Sequence, residues 1–175
     1  SFIGDIGLYI TSQKQSVNNL DAGYKNAEIT KKNISERLGK LIYLKNPKES
    51  IGYLADAINN AQKEENTPKV VELTGYLITS ASIIQNYHGV IEAVDNILKL
   101  YKGPKFTLER ALVKSRKLNA LIKIGDWEEA ISIVNNEINP LLQNYLKKPK
   151  KIDFATYKDI YDTWLYSNIQ LAEAY

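Results

Sequence analysis

The sequence predicts an all-α chain built as an α-solenoid of antiparallel helix-turn-helix repeats, and three observations carry that reading. Superimposing the chain on itself with a shift of 40 residues brings three segments into register. Within each segment apolar residues recur at spacings of three, four or seven, the period that places side chains on one face of an α-helix. Between these stripes lie short runs of Gly, Asn, Asp and Pro, which close helices and form tight turns.

The chain opens on a strict three-four alternation through Ile3, Ile6, Ile10, Gln13, Val17, Leu20, Tyr24, Ala27, Lys31, Ile34, Leu38 and Leu41. This heptad pattern leaves two readings open. Either residues 3–41 form one long coiled-coil helix, or Asp21-Ala22-Gly23 breaks the segment. Ile3-Gly4-Asp5 echoes Ile124-Gly125-Asp126 and favours a hairpin broken near Gly23.

The repeats follow. On the first helix apolar residues coincide at Leu38, Ile78 and Leu118, at Leu41, Ala81 and Leu121, and at Leu44, Ile84 and Ile124. On the second they coincide at Ile51, Ile91 and Ile131, at Leu54, Val94 and Val134, and at Ile58, Leu98 and Ile138. Lys45-Asn46-Pro47, Gln85-Asn86-Tyr87 and Gly125-Asp126-Trp127 separate the two helices, so each repeat reads as a helical hairpin. Pro68, Pro104 and Pro140 are expected to end the second helices, Pro140 as a stop or as a kink. Helices are expected at about 31–45, 48–64, 69–85, 88–101, 105–124, 127–145 and 153–173, with no strand. One hairpin cannot bury its apolar face alone, so stacked neighbours must supply the core.

The C-terminal part begins with the basic run Lys147-Lys148-Pro149-Lys150-Lys151, read as a solvated connector. Asp153 then caps a helix with Phe154, Tyr157, Tyr161, Trp164 and Asn168 along one stripe. That stripe needs cover from another helix or another chain, so self-association through this aromatic helix is an expectation. The chain is thus read as a single helical-repeat domain over 1–175. It comprises an N-terminal helical segment (1–30), three two-helix repeats (31–145), and a basic loop with the aromatic helix (146–175).

Composition narrows the function. Of the 175 residues 44% are apolar and 25% charged, ordinary globular values, and no apolar run is long enough to span a bilayer. A soluble chain without membrane insertion is expected. A net charge of +3 is too small and too dispersed to predict a nucleic-acid face. Cysteine is absent, which removes disulfides, thiolate chemistry and Cys-based zinc sites. Ser1 is not an initiator, and the chain reads as a processed product or an excised segment.

No constellation of titratable residues recurs at catalytic spacing. His88, the single histidine, falls beside a hairpin turn, and Glu64-Glu65 and Glu128-Glu129 sit at helix ends where solvated carboxylates are common. Gly-rich phosphate loops, nucleophile elbows and metal-binding helices are missing. A non-catalytic protein is expected, with no cofactor, no metal and no catalytic residue.

The segment Leu121-Ile122-Lys123-Ile124-Gly125-Asp126-Trp127-Glu128-Glu129-Ala130-Ile131 resembles the tetratricopeptide consensus. Gly125-Asp126 looks like its hairpin turn, Trp127 like the aromatic opening the second helix, and Ala130 like the small residue where the helices cross. Ser50 and Val90 stand at that last position in the other repeats. Lys114, Leu118 and Glu137 depart from the consensus, and the period of 40 exceeds the family's 34 residues. Over residues 31–142 the resemblance implies a right-handed superhelix whose first helices line a groove that holds an extended peptide or a partner helix.

In that arrangement the groove-facing positions would be Ser35, Glu36 and Tyr43, then Tyr76, Thr79 and Ile83, then Ser115, Arg116, Asn119 and Lys123. Arg116, Asn119 and Lys123 form an i, i+3, i+7 row suited to an acidic or carboxylate-bearing segment. The expected partner-binding residues are therefore Tyr76, Thr79, Arg116, Asn119 and Lys123, with Tyr157, Tyr161 and Trp164 on the C-terminal helix. The expected role is a protein-interaction or scaffolding module. Two other readings stay open: a regulatory domain resembling the peptide-pheromone receptors of Gram-positive bacteria, and a coiled-coil assembly protein built on the N-terminal heptads.

Overall fold

A computed structural model describes residues 22–23, 25–27, 29–103, 106–147 and 153–173. Among these residues the chain is helical and contains no strand. The order is α1 (29–42), α2 (Pro47–Lys63), α3 (Thr67–Ile83), α4 (Tyr87–Leu98), α5 (Thr107–Ser115), α6 (Leu118–Ile124), α7 (Trp127–Ser132), a π-helical turn (Ile133–Ile138), α8 (Asn139–Lys147) and α9 (Phe154–Glu173). None of these helices is long and apolar enough to cross a membrane. The residues from 3 to 20, Tyr24, Pro104 and the run from Lys148 to Lys151 lie outside the described residues.

One turn chemistry is used three times. The amides of Asn66, Asn86 and Asp126 reach back five residues to the carbonyls of Ala61, Ala81 and Leu121 at 2.8–2.9 Å, satisfying groups the ending helix leaves open. The residue before each, Glu65, Gln85 or Gly125, takes the left-handed conformation that lets the chain reverse. The side chains of Asn66, Asn86 and Asp126 then accept from the amides of Lys69, Gly89 and Glu129 and cap the next helix. Asn46 caps α2 in the same way, and Asp153 caps α9 through Thr156. Arg110 joins the end of α4 to α5 by donating to the Leu98 and Tyr101 carbonyls.

The core is divided along the chain. Leu54, Ala57, Ala61, Val70 and Leu73 form a first cluster between α2 and α3. Ile78, Val90, Val94, Ile97 and Val113 belong to a second, and Leu118, Leu121, Ala130, Val134, Leu142 and Ile160 to a third. Leu77 touches the first two clusters and Ile91 the last two, so the apolar interior is continuous. Positions 40 apart have matching settings: Ser50, Val90 and Ala130 are all buried, as are Leu54, Val94 and Val134, while Ile51, Ile91 and Ile131 are all half-buried.

Three expectations need correction, and the alternative left open at Pro140 is decided. Pro68 does not end a helix; it lies in the first turn of α3, where its missing amide is not needed. Pro140, read as a stop or as a kink in a helix that continues, does not stop the chain: the helical path runs on to Lys147, and Pro140 stands at the second position of α8, directly after the π-helical turn. The expected helix 105–124 is two helices, because the amides of Arg116 and Lys117 bond three residues back and tighten the chain there. Residues 22–23 and 25–27 are helical, so no turn falls at Gly23; glycine weakens a helix by about 1 kcal/mol but does not forbid one.

Candidate functional site

The sequence-predicted partner residues separate into three places. Tyr76 and Thr79 of α3, with Arg116 from the α5–α6 turn, line one concave pocket of about 640 Å³. Tyr43, Val71, Glu72, Gly75, Ile78 and Ser82 complete the lining. Asn119 and Lys123 are exposed on α6 and do not line it. The break at Arg116 explains this, since the i, i+3, i+7 row assumed one continuous helix. Ile83 is exposed outside the pocket, and Ser35 is buried instead of facing a groove.

Helical spacing builds the pocket wall. Glu72, Gly75, Thr79 and Ser82 succeed one another by three or four residues, with Tyr76 beside Gly75, and so share one face of α3. Thr79 and Ser82 donate their hydroxyl protons to the Gly75 and Ile78 carbonyls, at 3.2 and 2.8 Å. Their oxygens are left as acceptors. The Tyr43 and Tyr76 rings meet edge to face with centroids 4.9 Å apart, and the Lys40 ammonium stands 5.9 Å from the Tyr76 ring centre.

A glycine makes room for the cation. A Cβ added at Gly75 would meet Arg116 Nη1 at 3.5 Å, so the guanidinium lies directly over the bare backbone of α3. Arg116 has no ion pair among the described residues, whereas the other charges near the pocket are matched. Lys40 binds Glu36 at 3.0 Å and Glu72 at 2.6 Å, and Lys69 binds Glu36 at 2.9 Å. The bond from Lys69 holds the Glu36 carboxyl below its usual pKa against the effect of burial, with Lys40 adding to it. The bond to Glu72 raises the Lys40 pKa, again against burial. The pocket therefore offers one uncommitted guanidinium beside two aromatic rings and two hydroxyl acceptors. Compared with known proteins, the chain matches no family model, no curated protein and no solved structure.

Next to Arg116 in the chain stands a residue that sequence reasoning missed. Lys117 is 5% exposed, and its ammonium bonds Glu129 of α7 at 2.7 Å and Asp95 of α4 at 3.0 Å. Burial lowers the lysine's pKa, but these two bonds outweigh it and hold the value above the ordinary one. This clamp fixes the α5–α6 turn and hence the position of Arg116. The spacings 95, 117 and 129 follow neither a helical period nor the period of 40, so nothing in the sequence pattern marks them.

None of the C-terminal residues lines the pocket. On α9 the Ile160 side chain is the buried anchor, Trp164 packs on the third core cluster, and Asn168 exchanges hydrogen bonds with Asn139 of α8. Tyr157 is half-buried, Tyr161 is exposed, and the Tyr161 and Trp164 rings lie 6.2 Å apart. Phe154, placed with them on the expected stripe, is 80% exposed. His88 is exposed at the start of α4, and among the described residues no group of three or more His, Asp or Glu could hold a metal ion.

Proposed function

We propose that the chain is a tetratricopeptide-like stack of two-helix units that acts as a non-catalytic interaction module, binding a partner polypeptide in the pocket between Tyr43, α3 and Arg116. The recurring Schellman-and-Asx turns, the three successive core clusters and the matched burial of Ser50, Val90 and Ala130 support the stack. The observation that carries the function is Arg116, an arginine without an ion pair among the described residues, held over Gly75 at the mouth of an aromatic-lined concavity. A guanidinium so placed donates bidentate, charge-assisted hydrogen bonds to a carboxylate, and the Thr79 and Ser82 oxygens accept from peptide amides. An acidic, extended segment fits these groups.

The test is binding of Glu- and Asp-rich peptides against neutral and basic ones on an array, with the untouched chain, Arg116→Ala and Lys123→Ala. Acidic peptides should bind selectively and lose about 10- to 100-fold with Arg116→Ala, the loss of a hydrogen bond to a charged group. Lys123→Ala, outside the pocket, should change affinity far less. Equal binding by Arg116→Ala removes the reading.

A further inference from the structure

A second concavity, of about 530 Å³, lies between α5 and the chain that runs from the π-helical turn into α8, and it has the size of a small-molecule site. It shares no lining residue with the pocket at Arg116. Asn136, Pro140 and Asn144 recur every four residues along one wall, with Glu137 and Leu141 beside them, and Arg110 and Ala111 belong to the other. The π-helical turn sets the first wall. The Asn139 amide reaches back five residues to the Val134 carbonyl, and the next residue, Pro140, has no amide with which to continue that register. Such single turns are rare and frequently mark functional sites.

The two walls bring opposite charges to one hollow. Arg110 is half-buried, and its Nη1 is committed to the Tyr101 and Leu98 carbonyls at 2.8 and 3.2 Å. The Nε–Nη2 edge of the guanidinium has no partner among the described residues, and such an edge grips a carboxylate through two parallel hydrogen bonds. Glu137 pairs through Oε2 with Lys114, and its Oε1 has no partner among the described residues. Lys114 follows Arg110 by four residues, so Glu137 meets α5 about 6 Å along the axis from Arg110. One carboxylate can hold two ammonium groups. Glu36 already does so, with Lys40 on one oxygen at 3.0 Å and Lys69 on the other at 2.9 Å.

We propose that this pocket binds a free α-amino acid. The ligand carboxylate takes the open edge of Arg110, its ammonium joins Lys114 at Glu137, and its carbon body lies against Ala111, Pro140 and Leu141. The Asn144 carboxamide, without a hydrogen-bond partner among the described residues, offers a donor and an acceptor to the same ligand. A phosphate dianion matches the pocket less well, because Glu137 already neutralises Lys114 and leaves one guanidinium against two negative charges. A simple cation would meet Arg110. Only a ligand that carries both charges a few ångströms apart satisfies both walls. This site does not depend on peptide binding at Arg116.

Isothermal titration calorimetry of the untouched chain with each common L-amino acid should find at least one that binds saturably at one site per chain. The amine that lacks its carboxylate and the acid that lacks its amino group should each bind about 10-fold more weakly or worse, the loss of one hydrogen-bonded charge. Glu137→Gln should weaken the amino acid by about the same factor and leave the deaminated acid unchanged. Arg110→Lys, which keeps the charge without the two-pronged edge, should weaken both. Because Glu137 is exposed, its substitution keeps the fold and carries the test even where Arg110→Lys does not fold. Arg116→Ala should change none of these affinities. Four results would each overturn the proposal: no amino acid that binds, an amine or acid that binds as tightly as its parent, an amino-acid affinity untouched by Glu137→Gln, or one abolished by Arg116→Ala.

Discussion

Lys117 Nζ lies 2.7 Å from Glu129 Oε1, so one buried ammonium ties the α5–α6 turn to the first turn of α7, with Asp95 of α4 as its second partner at 3.0 Å. The pair is asymmetric. Both carboxylates are nearly half exposed and stay hydrated without the lysine, whereas the ammonium has no water to turn to without them. Lys117→Met should therefore stay within about 1.5 kcal/mol of the parent in urea unfolding, and Asp95→Ala with Glu129→Ala should lose roughly 3 to 5 kcal/mol. The raised pKa fixes the sign with pH: the stabilisation is complete below the ordinary value of 10.5 and is lost as pH rises through the higher folded value. The parent should weaken in that alkaline window and Lys117→Met should not.

Glu36 titrates the other way. Its folded carboxyl is held low, first by Lys69, so the contribution is present above the ordinary value of 4.5 and disappears as pH falls through the depressed one. Glu36→Gln should cost roughly 1 kcal/mol at neutral pH, the scale of a partly buried charged hydrogen bond, and nothing in strong acid. Urea midpoints measured on both sides of that window check it, and a gap that persists in acid would mean that the side chain acts through packing.

The turns contain a correctable strain. Gln85 and Glu65 adopt φ of 59° and 54°, where a side chain is disfavoured, while Gly125 at 83° occupies the same place without penalty. Gln85→Gly and Glu65→Gly should each raise stability by about 0.5 to 1 kcal/mol, and Gly125→Ala should lower it by about 1 to 2 kcal/mol. In a domain of this size each kcal/mol moves the melting temperature by about 2 to 4 °C, within reach of calorimetry.

The turns were legible in the sequence because Asn46, Asn86 and Asp126 are local signals: a cap acts on the amide three residues away, and pattern reading sees that distance. The hairpin stripes were legible for the same reason. What escaped was set by partners far along the chain. Lys117 reads as one more charged residue of a helix until Asp95 and Glu129 are placed around it, and its burial splits the helix that Arg116, Asn119 and Lys123 were expected to share. The pocket was half legible: Tyr76 and Thr79 lie on the α3 stripe, but Gly75 matters only because Arg116 rests over it. Pro68 misled because proline marks both the end of one helix and the first turn of the next, and only the Asn66 cap decides between them.

The same substitution at two glycines should give opposite signs. Around Gly52, exposed on α2, a new Cβ meets nothing within 4 Å, so Gly52→Ala should gain about 0.5 to 1 kcal/mol from reduced backbone freedom in the unfolded chain. At Gly39 the Cβ would stand 2.8 Å from the Leu54 side chain and 3.3 Å from its backbone nitrogen, which cannot swing aside. Leu54 is fully buried in the first core cluster, so Gly39→Ala should lose about 1 to 3 kcal/mol despite its better helix propensity. The loss should be local, because α1 is held to α2 at that crossing by the Ser50 hydrogen bond to the Gly39 carbonyl. Amide exchange is expected to accelerate along residues 29–42 and remain slow in α4 and α6. Thermal melts of the two variants that moved in the same direction would contradict the close α1–α2 crossing.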